Sequence, residues 1–395
     1  MAQTPQQALA ANMGIRQNIL ANAIPVFQNV RSGSLTYTIG SPTQWTVLAS
    51  NVGLIRRFYL VLSGTVNAAS TKTLTPSMLG MSNLLSNVQF IDQNNRLRIN
   101  TTGAHLHLAA SQKRRRPFGS ALSGNATPVQ SDPCGFGANF PVQKTTGVVT
   151  GATAVNFTFV WEIPVVNSNQ DLTGAIYANQ TTSNNQLQFT VNPNFAVATG
   201  TDAFNACYLA NDTIANAAPT LTNLKWTLYQ DFLDQLPVDN TGFAQLPPID
   251  IAYALCYQMI NPGAIVQAQD NLYALPPFNV YQDLMLFWDN YTYATAVGGD
   301  VSAIKVQISN TYILKQIEPL MGAIMSRNMI GTDFPAIAAA TNTSGAVYDL
   351  DFRHKPLTVN QLSSTNIVFN PSTVEAGGNL QIGQEYIWYA NQAAA

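Results

Sequence analysis

Short segments in which apolar and polar residues alternate recur along the chain from Leu35 onward. They are rich in Val, Thr, Tyr and Phe, and clusters of Gly, Asn, Pro and Ser separate them. In the segment Val347–Arg353, the residues Tyr348, Leu350 and Phe352 fall on one face and the charged residues fall on the other. Successive side chains of a strand point to opposite faces. This spacing therefore predicts the strands of a β-sandwich or barrel.

The predicted strands form two series that are separated by a proline-bearing segment at residues 236–248. The first series begins with Leu35–Ile39, and the second begins with Ile249–Met259. A length of 395 residues suits two β domains of roughly 170 to 200 residues each. We therefore predict one domain at residues 31–240 and a second at residues 241–395.

Helical spacing is found at two places outside the predicted strands. Residues 1–30 form an N-terminal arm with a predicted amphipathic helix, which ends before a proline. The segment Glu318–Met329 has a second helical pattern, with Pro319 in its first turn. The sequence thus predicts an all-β chain with an N-terminal helix and short helical insertions.

The composition of the chain favours extensive contact with other chains. Charged residues make up 10% of the sequence and the net charge is −2, whereas a typical charged share is about 25%. A soluble monomer usually keeps charge on its surface, so this composition indicates a surface that is covered by assembly. The near-neutral balance argues against coating a genome or binding a specific nucleic-acid sequence directly, because both need clustered cations.

Cysteine usage and hydropathy indicate where the protein is made. The three cysteines, Cys134, Cys207 and Cys256, are far apart and include no C-x-x-C pair, so we expect them to be buried and reduced. The N-terminus lacks the pattern of a secretion signal, and no stretch approaches the roughly 18 apolar residues of a spanning helix. We expect synthesis in a cytosol.

The N-terminal arm is the first candidate contact site. Its candidate contact residues are Leu9, Met13, Arg16 and Leu20. The spacing of the apolar residues admits two interpretations of the helix. It can pack on its own domain, or it can contact a neighbouring subunit or a membrane surface.

The second candidate contact site is the strongest charge cluster of the chain, at Lys113, Arg114, Arg115 and Arg116. Such a basic run can contact nucleic acid or anionic lipid. A solvated turn, or a salt bridge to acidic residues of a neighbouring subunit, is the favoured interpretation.

The sequence contains few candidates for catalysis or metal binding. His105 and His107 form an H-x-H pair, which on a strand would turn both rings to one side and supply two metal ligands. The carboxylate that a cupin-type site places a few residues downstream is missing. We therefore expect two structural histidines at a turn or helix start, no metal, no cofactor and no enzymatic activity.

Four segments, in this order, resemble the major capsid proteins of tectiviruses, the internal-membrane bacteriophages of the PRD1 type. They are GAHLHL at residues 103–108, DLTGA at residues 171–175, TLYQDFLDQLP at residues 227–237 and TDFP at residues 332–335. The Gln- and Ala-rich arm and the overall length resemble the family as well. The basic run at residues 113–116 does not match the family pattern.

The resemblance implies a double jelly roll, in which two eight-stranded jelly rolls stand side by side. It implies a homotrimer that acts as a pseudo-hexameric capsomer and tiles an icosahedral capsid around an internal membrane enclosing double-stranded DNA. By resemblance, the arm faces that membrane and the tail from Ala390 onward helps to lock neighbours together. Minor capsid and vertex proteins would be further partners, and the protein would be located in the virion after synthesis in the bacterial cytoplasm.

The main alternative is a trimeric jelly-roll spike that binds a receptor or carbohydrate. Such a protein should expose Trp or Tyr beside Asp and Asn in one groove. All five tryptophans instead lie within strand-like runs, which favours positions in the core; they are Trp45, Trp161, Trp226, Trp288 and Trp388.

Overall fold

The computed structural model describes residues 4–77, 79–114, 121–124, 149–151, 154–178, 184–198, 205–289, 301–309, 312–317, 346–359, 364–372, 374 and 378–389. The described part of the chain consists mainly of β-strands. Its helices are α1 (Pro5–Asn22), α2 (Gly103–Arg114), α3 (Ile214–Ala217), α4 (Pro248–Ala252) and a 3₁₀ turn at Gly80–Leu84.

The strands fall into two series, as the sequence predicts. Those of the first series are β1 (Ile24–Ser34), β2 (Thr43–Leu48), β3 (Leu54–Asn67), β4 (Thr73–Pro76), β5 (Leu85–Ile91), β6 (Leu97–Thr101), β7 (Ala121–Gly124), β8 (Val149–Thr150), β9 (Val155–Pro164), β10 (Ile176–Tyr177), β11 (Gln186–Val191), β12 (Ala196–Ala198), β13 (Tyr208–Ala210) and β14 (Thr220–Asp234). Those of the second series are β15 (Tyr253–Ile260), β16 (Asn271–Ala274), β17 (Val280–Asp289), β18 (Val301–Ile308), β19 (Tyr312–Ile317), β20 (Ala346–Asp351), β21 (Leu357–Thr358), β22 (Thr365–Pro371) and β23 (Asn379–Tyr389).

The first series folds into a β-sandwich. One sheet has the order β1-β14-β3-β9-β7, and the facing strands have the order β2-β11-β5-β6. Aromatic side chains of the two layers meet in the core, where the rings of Phe58 and Phe90 lie 5.4 Å apart and those of Trp45 and Trp226 lie 6.1 Å apart. A smaller sheet has the order β12-β13-β4-β8.

The second series forms another sandwich, and one sheet runs through both. Strands β15-β23-β17-β20 face the sheet β16-β22-β18-β19, and the rings of Trp288 and Phe369 lie 5.0 Å apart. Strand β6 pairs with β15 in parallel, with Ile99 opposite Tyr257 and Asn100 opposite Gln258. The facing strands of the two sandwiches therefore join into one nine-stranded sheet.

Helix α1 begins where the local sequence favours it. Thr4 accepts a hydrogen bond from the Gln7 backbone amide, and the Gln7 side chain accepts one from the Thr4 amide, so both form a capping box. Pro5 occupies the first turn, where its missing N–H is not needed. The helix ends before Pro25, as predicted.

The start of the first sandwich differs from the predicted pattern. Residues 35–38 are not a strand, and the strand that precedes them is β1. Strand β1 pairs with β14 from Ile24↔Asp234 to Ser34↔Lys225. The predicted boundary of the arm at residue 30 therefore falls inside a strand, because pairing with β14 extends the sheet into this polar segment.

Helix α2 is buried between the two sandwiches. A Cβ on Gly103 would lie 2.7 Å from the Trp161 ring nitrogen, and a Cβ on Gly383 of β23 would lie 2.6 Å from the His105 ring. Glycine at both positions allows the helix to contact β9 on one side and β23 on the other. Every residue from Gly103 to Gln112 is buried.

Candidate assembly surfaces and the junction between the sandwiches

Helix α1 is anchored to its own chain through Asp250 of α4. The Arg16 guanidinium donates to Asp250 through Nε at 2.7 Å, and its Nη2 atom forms a shorter contact with the same carboxylate. The Asn12 amide donates to Asp250 at 3.0 Å, and Asn12 accepts from the Ile249 backbone amide at 2.9 Å. Asp250 is 1% exposed, so its buried charge requires these partners.

The four candidate residues of the arm have different surroundings. Arg16 is held by Asp250 and lies 3.4 Å from Asp171. Leu20 packs against a small apolar cluster that contains Ile19 and Leu233. Leu9 and Met13 remain outward, with 50% and 46% of their surfaces exposed. The arm therefore packs on its own chain, against residues of both predicted domains, and also presents an apolar surface.

Lys113 of the basic run lies on α2 and points inward. Its ammonium lies 2.7 Å from Glu385 Oε1 and donates to the Tyr257 hydroxyl at 2.7 Å. For this residue the contact-loop interpretation does not hold, because a buried carboxylate of the same chain is its partner. Arg114 is the last residue of α2, and its side chain, Arg115 and Arg116 lie outside the described residues.

Glu385 is the centre of a charged cluster at the junction. Its Oε2 accepts from Arg353 at 2.7 Å, in addition to the Lys113 contact. Burial alone would raise the pKa of Glu385, but Arg353 and Lys113 lower that pKa to about 2. Burial lowers the pKa of Lys113, although Glu385 opposes this effect.

A second part of the junction is a pair of buried carboxyl groups, Asp283 on β17 and Asp349 on β20. They are 0% and 1% exposed and lie on neighbouring strands. The Gln112 amide of α2 donates to Asp349 at 2.5 Å and to Asp283 at 3.4 Å. Burial raises the pKa of both carboxyls, and the Asp283 charge raises the pKa of Asp349 further.

A cavity of about 520 Å³ opens beside this cluster. Its charged and polar lining comes from both sandwiches and from α2, through Arg57, Lys113, Glu162, Tyr257, Gln282 and Arg353. The cations there are paired with carboxylates: Arg57 donates to Glu162 at 2.9 Å. The cavity thus brings solvent close to a neutralised ion cluster and does not present free positive charge.

The two histidines of the H-x-H motif lie at the start of α2, as predicted. The His105 Nδ1 atom lies 2.7 Å from the Thr101 hydroxyl, and burial lowers the His105 pKa to about 4. The His107 ring packs on Phe159 with centroids 4.8 Å apart. On a helix, residues two apart do not share a face, so the geometry differs from that of a strand-borne metal site.

Two general findings concern membrane and metal chemistry. No helix in the described ranges combines the length and apolar character needed to cross a membrane. Among the same residues, no three His, Cys, Asp or Glu side chains form a group suited to a metal ion.

The cysteines and tryptophans lie largely where the sequence predicts. Cys207 and Cys256 are buried free thiols, and burial raises the pKa of Cys256 to about 12. Cys134 lies outside the described residues. Trp161 and Trp288 are fully buried, and the other three tryptophans are partly buried against the core. None of the five forms the exposed aromatic groove that a carbohydrate-binding spike requires.

Comparison with known families decides the relationship of this chain. Residues 1–236 match the family described as P3 major capsid protein N-terminal, and residues 256–393 match P3 major capsid protein C-terminal. The chain belongs to the P3 major capsid protein family. It is a major capsid protein that forms a capsid shell, and its location is the virion capsid. The spike alternative is not favoured.

Individual relatives agree with membership in the P3 major capsid protein family. Major capsid protein P3 of Enterobacteria phage PRD1 is 28% identical over 387 residues, covering 96% of this chain and 92% of the relative. The fold resembles the STIV MCP, with a TM-score of 0.62 and 11% identity over 94% of this chain and 99% of the other. An atomic structure of Sulfolobus Turreted Icosahedral Virus gives a TM-score of 0.60 and 11% identity over 93% of this chain and 92% of the other. The predicted double jelly roll is confirmed.

Proposed function

We propose that this capsid protein assembles as a homotrimer whose six jelly rolls form a pseudo-hexameric capsomer. The observation that supports this proposal is the continuous nine-stranded sheet, which fixes two sandwiches side by side in each chain. Three such chains around a threefold axis supply six similar units. The capsomers tile an icosahedral shell around an internal membrane that encloses double-stranded DNA.

The trimer is tested by expressing the full chain alone and measuring its mass by light scattering. We expect a stable particle of three times 42.7 kDa, at concentrations at which a weak dimer would dissociate. A particle with the mass of one or two chains would contradict the capsomer proposal. The mass does not depend on membrane contact, so this test is independent of the next one.

We propose further that the outward face of α1 contacts the internal membrane. Arg16 is the only charged residue among residues 1–30, and its charge is neutralised by Asp250. The exposed Leu9 and Met13 therefore face outward from a helix surface without net charge. Such a surface suits shallow contact with the acyl boundary of a lipid layer more than electrostatic binding to headgroups.

Membrane contact is tested by flotation of the full-length protein with phosphatidylcholine vesicles. The double variant Leu9→Ser/Met13→Ser should lose most of the vesicle-bound fraction. The matched variant Ala10→Ser/Ala11→Ser changes two exposed neighbours and should bind like the unaltered protein. Equal binding by all three proteins, or binding by none, would contradict membrane contact through this face and favour a neighbouring subunit.

The remaining partners follow the same reasoning. We propose that Arg114, Arg115 and Arg116 form salt bridges with acidic residues of a neighbouring subunit, which a salt-dependent trimer dissociation would support. Minor capsid and vertex proteins, locking of neighbours by the tail from Ala390 onward and synthesis in the bacterial cytoplasm belong to the same proposal. The relative from phage PRD1 is a capsid protein, which supports a non-enzymatic role for this chain.

A further inference from the structure

The junction between the jelly rolls contains two acidic side chains that cannot both be charged at low cost. Asp283 and Asp349 lie on neighbouring strands, are almost fully buried and both accept from the Gln112 side-chain nitrogen. Because one nitrogen atom contacts both carboxyls, the two acidic groups lie close together. Two carboxylates in such a site repel each other, and burial weakens the screening of that repulsion.

The same pair is the anchor for α2 of the first jelly roll. The Gln112 side-chain amide donates to both carboxyl groups, at 2.5 and 3.4 Å. On the next residue, Lys113 reaches Glu385 of β23. The end of α2 is thus held to the second jelly roll by two adjacent side chains.

The other charged groups around the pair do not fully neutralise a second negative charge. Arg353 lies 3.4 Å from Asp283, but its shorter contact, at 2.7 Å, is with Glu385. Asp351 adds a negative charge nearby. The titratable and charged groups that face the cluster are Lys113 and His105 from α2, Glu162 from β9, Tyr257 from β15, Asp351 from β20, Arg353 after β20 and Glu385 from β23.

We propose that Asp283 and Asp349 share one proton and that this proton controls a clamp between the two jelly rolls. With the proton present, Gln112 bridges the pair and α2 stays docked on the second jelly roll. When the proton is lost as pH rises, the two carboxylates repel each other, the bridge weakens and the end of α2 detaches. The cavity beside the cluster is lined by Lys113 and Arg353, so it opens next to the charged neighbours of the pair.

The direction of the pH effect follows from proton linkage. The folded pair holds its proton at a pH where an unfolded aspartate has already lost it, because its pKa is raised on folding. The clamp therefore contributes fully below the ordinary aspartate pKa, and its contribution is lost as pH rises through the raised pKa. The proposal does not depend on the trimer or on membrane contact.

The test is hydrogen exchange of backbone amides in the full-length protein at pH 6 and pH 9, corrected for intrinsic exchange rates. Peptides that cover α2 should lose about tenfold or more of their protection at the higher pH, which corresponds to roughly one pKa unit or more. Peptides that cover α1 are the internal reference and should keep their protection. Unchanged protection of α2 in the wild-type protein would overturn the proposal without any variant.

The variant Asp349→Asn mimics the protonated partner, because an amide nitrogen can donate to Asp283 as the carboxyl does. We expect α2 in this variant to keep its protection at pH 9. The matched control Asp270→Asn changes an exposed aspartate of the second jelly roll and should behave like wild type. Equal loss in Asp349→Asn and wild type would refute the shared proton, and Asp283→Asn repeats the test if the first variant does not fold.

Discussion

At the scale of single residues, the junction depends on one carboxylate that serves two cations. Glu385 is fully buried and contacts Lys113 and Arg353, which belong to different parts of the chain. A buried ion cluster stabilises a fold little compared with apolar residues of the same shape, because its desolvation is costly. Removing one charged partner from the cluster is costly too, because the remaining charges stay buried without a partner.

Replacing this carboxylate should destabilise the protein strongly. We expect Glu385→Gln to lower the free energy of unfolding by about 3 to 5 kcal/mol, because two cations lose their partner. Chemical denaturation measures the change. The control Asp270→Asn removes an exposed partner of Lys305 and should cost about 1 kcal/mol or less. If both variants lowered the free energy of unfolding by a similar amount, the buried ion pairs of Glu385 would contribute no more to stability than an exposed pair.

The same residue predicts an acid limit of stability. The Glu385 pKa is lowered from 4.5 to about 2, so the folded state favours the ionised form. Its contribution is therefore present above the unfolded pKa and is lost as pH falls from about 4.5 towards 2. Denaturation midpoints measured across this range should fall less steeply in Glu385→Gln than in wild type, and parallel curves would contradict the assignment.

The sequence pattern predicts the burial of one face of β20 but not the burial of the other. Tyr348, Leu350 and Phe352 are buried, as their alternation predicts. Asp349 on the polar face is buried as well, because Gln112 of α2 covers it from 237 residues away. Alternation identifies a strand and its apolar face, but it contains no information about a distant element that covers the polar face.

At the scale of elements, two glycines allow α2 to pack closely against its neighbours: Gly103 lies against Trp161, and Gly383 lies against His105. Residues 103–112 of α2 contain no Asp, Glu, Lys or Arg that could form a charged outer face, and the H-x-H pair and the apolar residues are buried together. The sequence predicts a turn or a helix start at the H-x-H pair, but it does not predict that a helix lies between the jelly rolls. The signal was present in the uncharged run of residues 103–112, which suits a helix that is buried all round.

The same change at two glycines should have opposite effects. Gly383→Ala places a Cβ 2.6 Å from the His105 ring and should destabilise the fold by about 1 to 3 kcal/mol. In Gly14→Ala, on exposed α1, the Cβ meets no atom within 4 Å. It should stabilise the helix by about 0.5 to 1 kcal/mol. Chemical denaturation measures the effect of Gly383→Ala, and hydrogen exchange of α1 measures the effect of Gly14→Ala. If both substitutions stabilised or both destabilised the protein, the close packing at Gly383 or the open surface at Gly14 would be contradicted.

At the scale of the whole molecule, the two jelly rolls share a sheet and a charged junction. The predicted division near residue 240 lies between the end of β14 at Asp234 and the start of β15 at Tyr253. Sequence alone indicated two β domains but not their continuous sheet. The β6–β15 pairing joins residues about 158 positions apart in the chain, and no local pattern specifies such a pair.

This shared structure predicts that both jelly rolls unfold together. In a urea titration followed by hydrogen exchange, peptides from β3 and β17 should give the same midpoint, because the junction couples the halves. Peptides from α1, which docks at the surface, should lose protection earlier. Separate midpoints for β3 and β17 would show that the jelly rolls are independent folding units.

The position of β23 has a consequence for biosynthesis. This strand lies between β15 and β17 and pairs with both, although it follows them by about 90 residues or more. On the ribosome the first jelly roll can complete its ladders while the second still lacks a central strand. Until residue 389 emerges, β15 can pair only with β6 and the facing edge of β17 stays open. Nascent chains on one polysome thus carry an unfinished sheet for seconds, the interval in which a chaperone would have most effect.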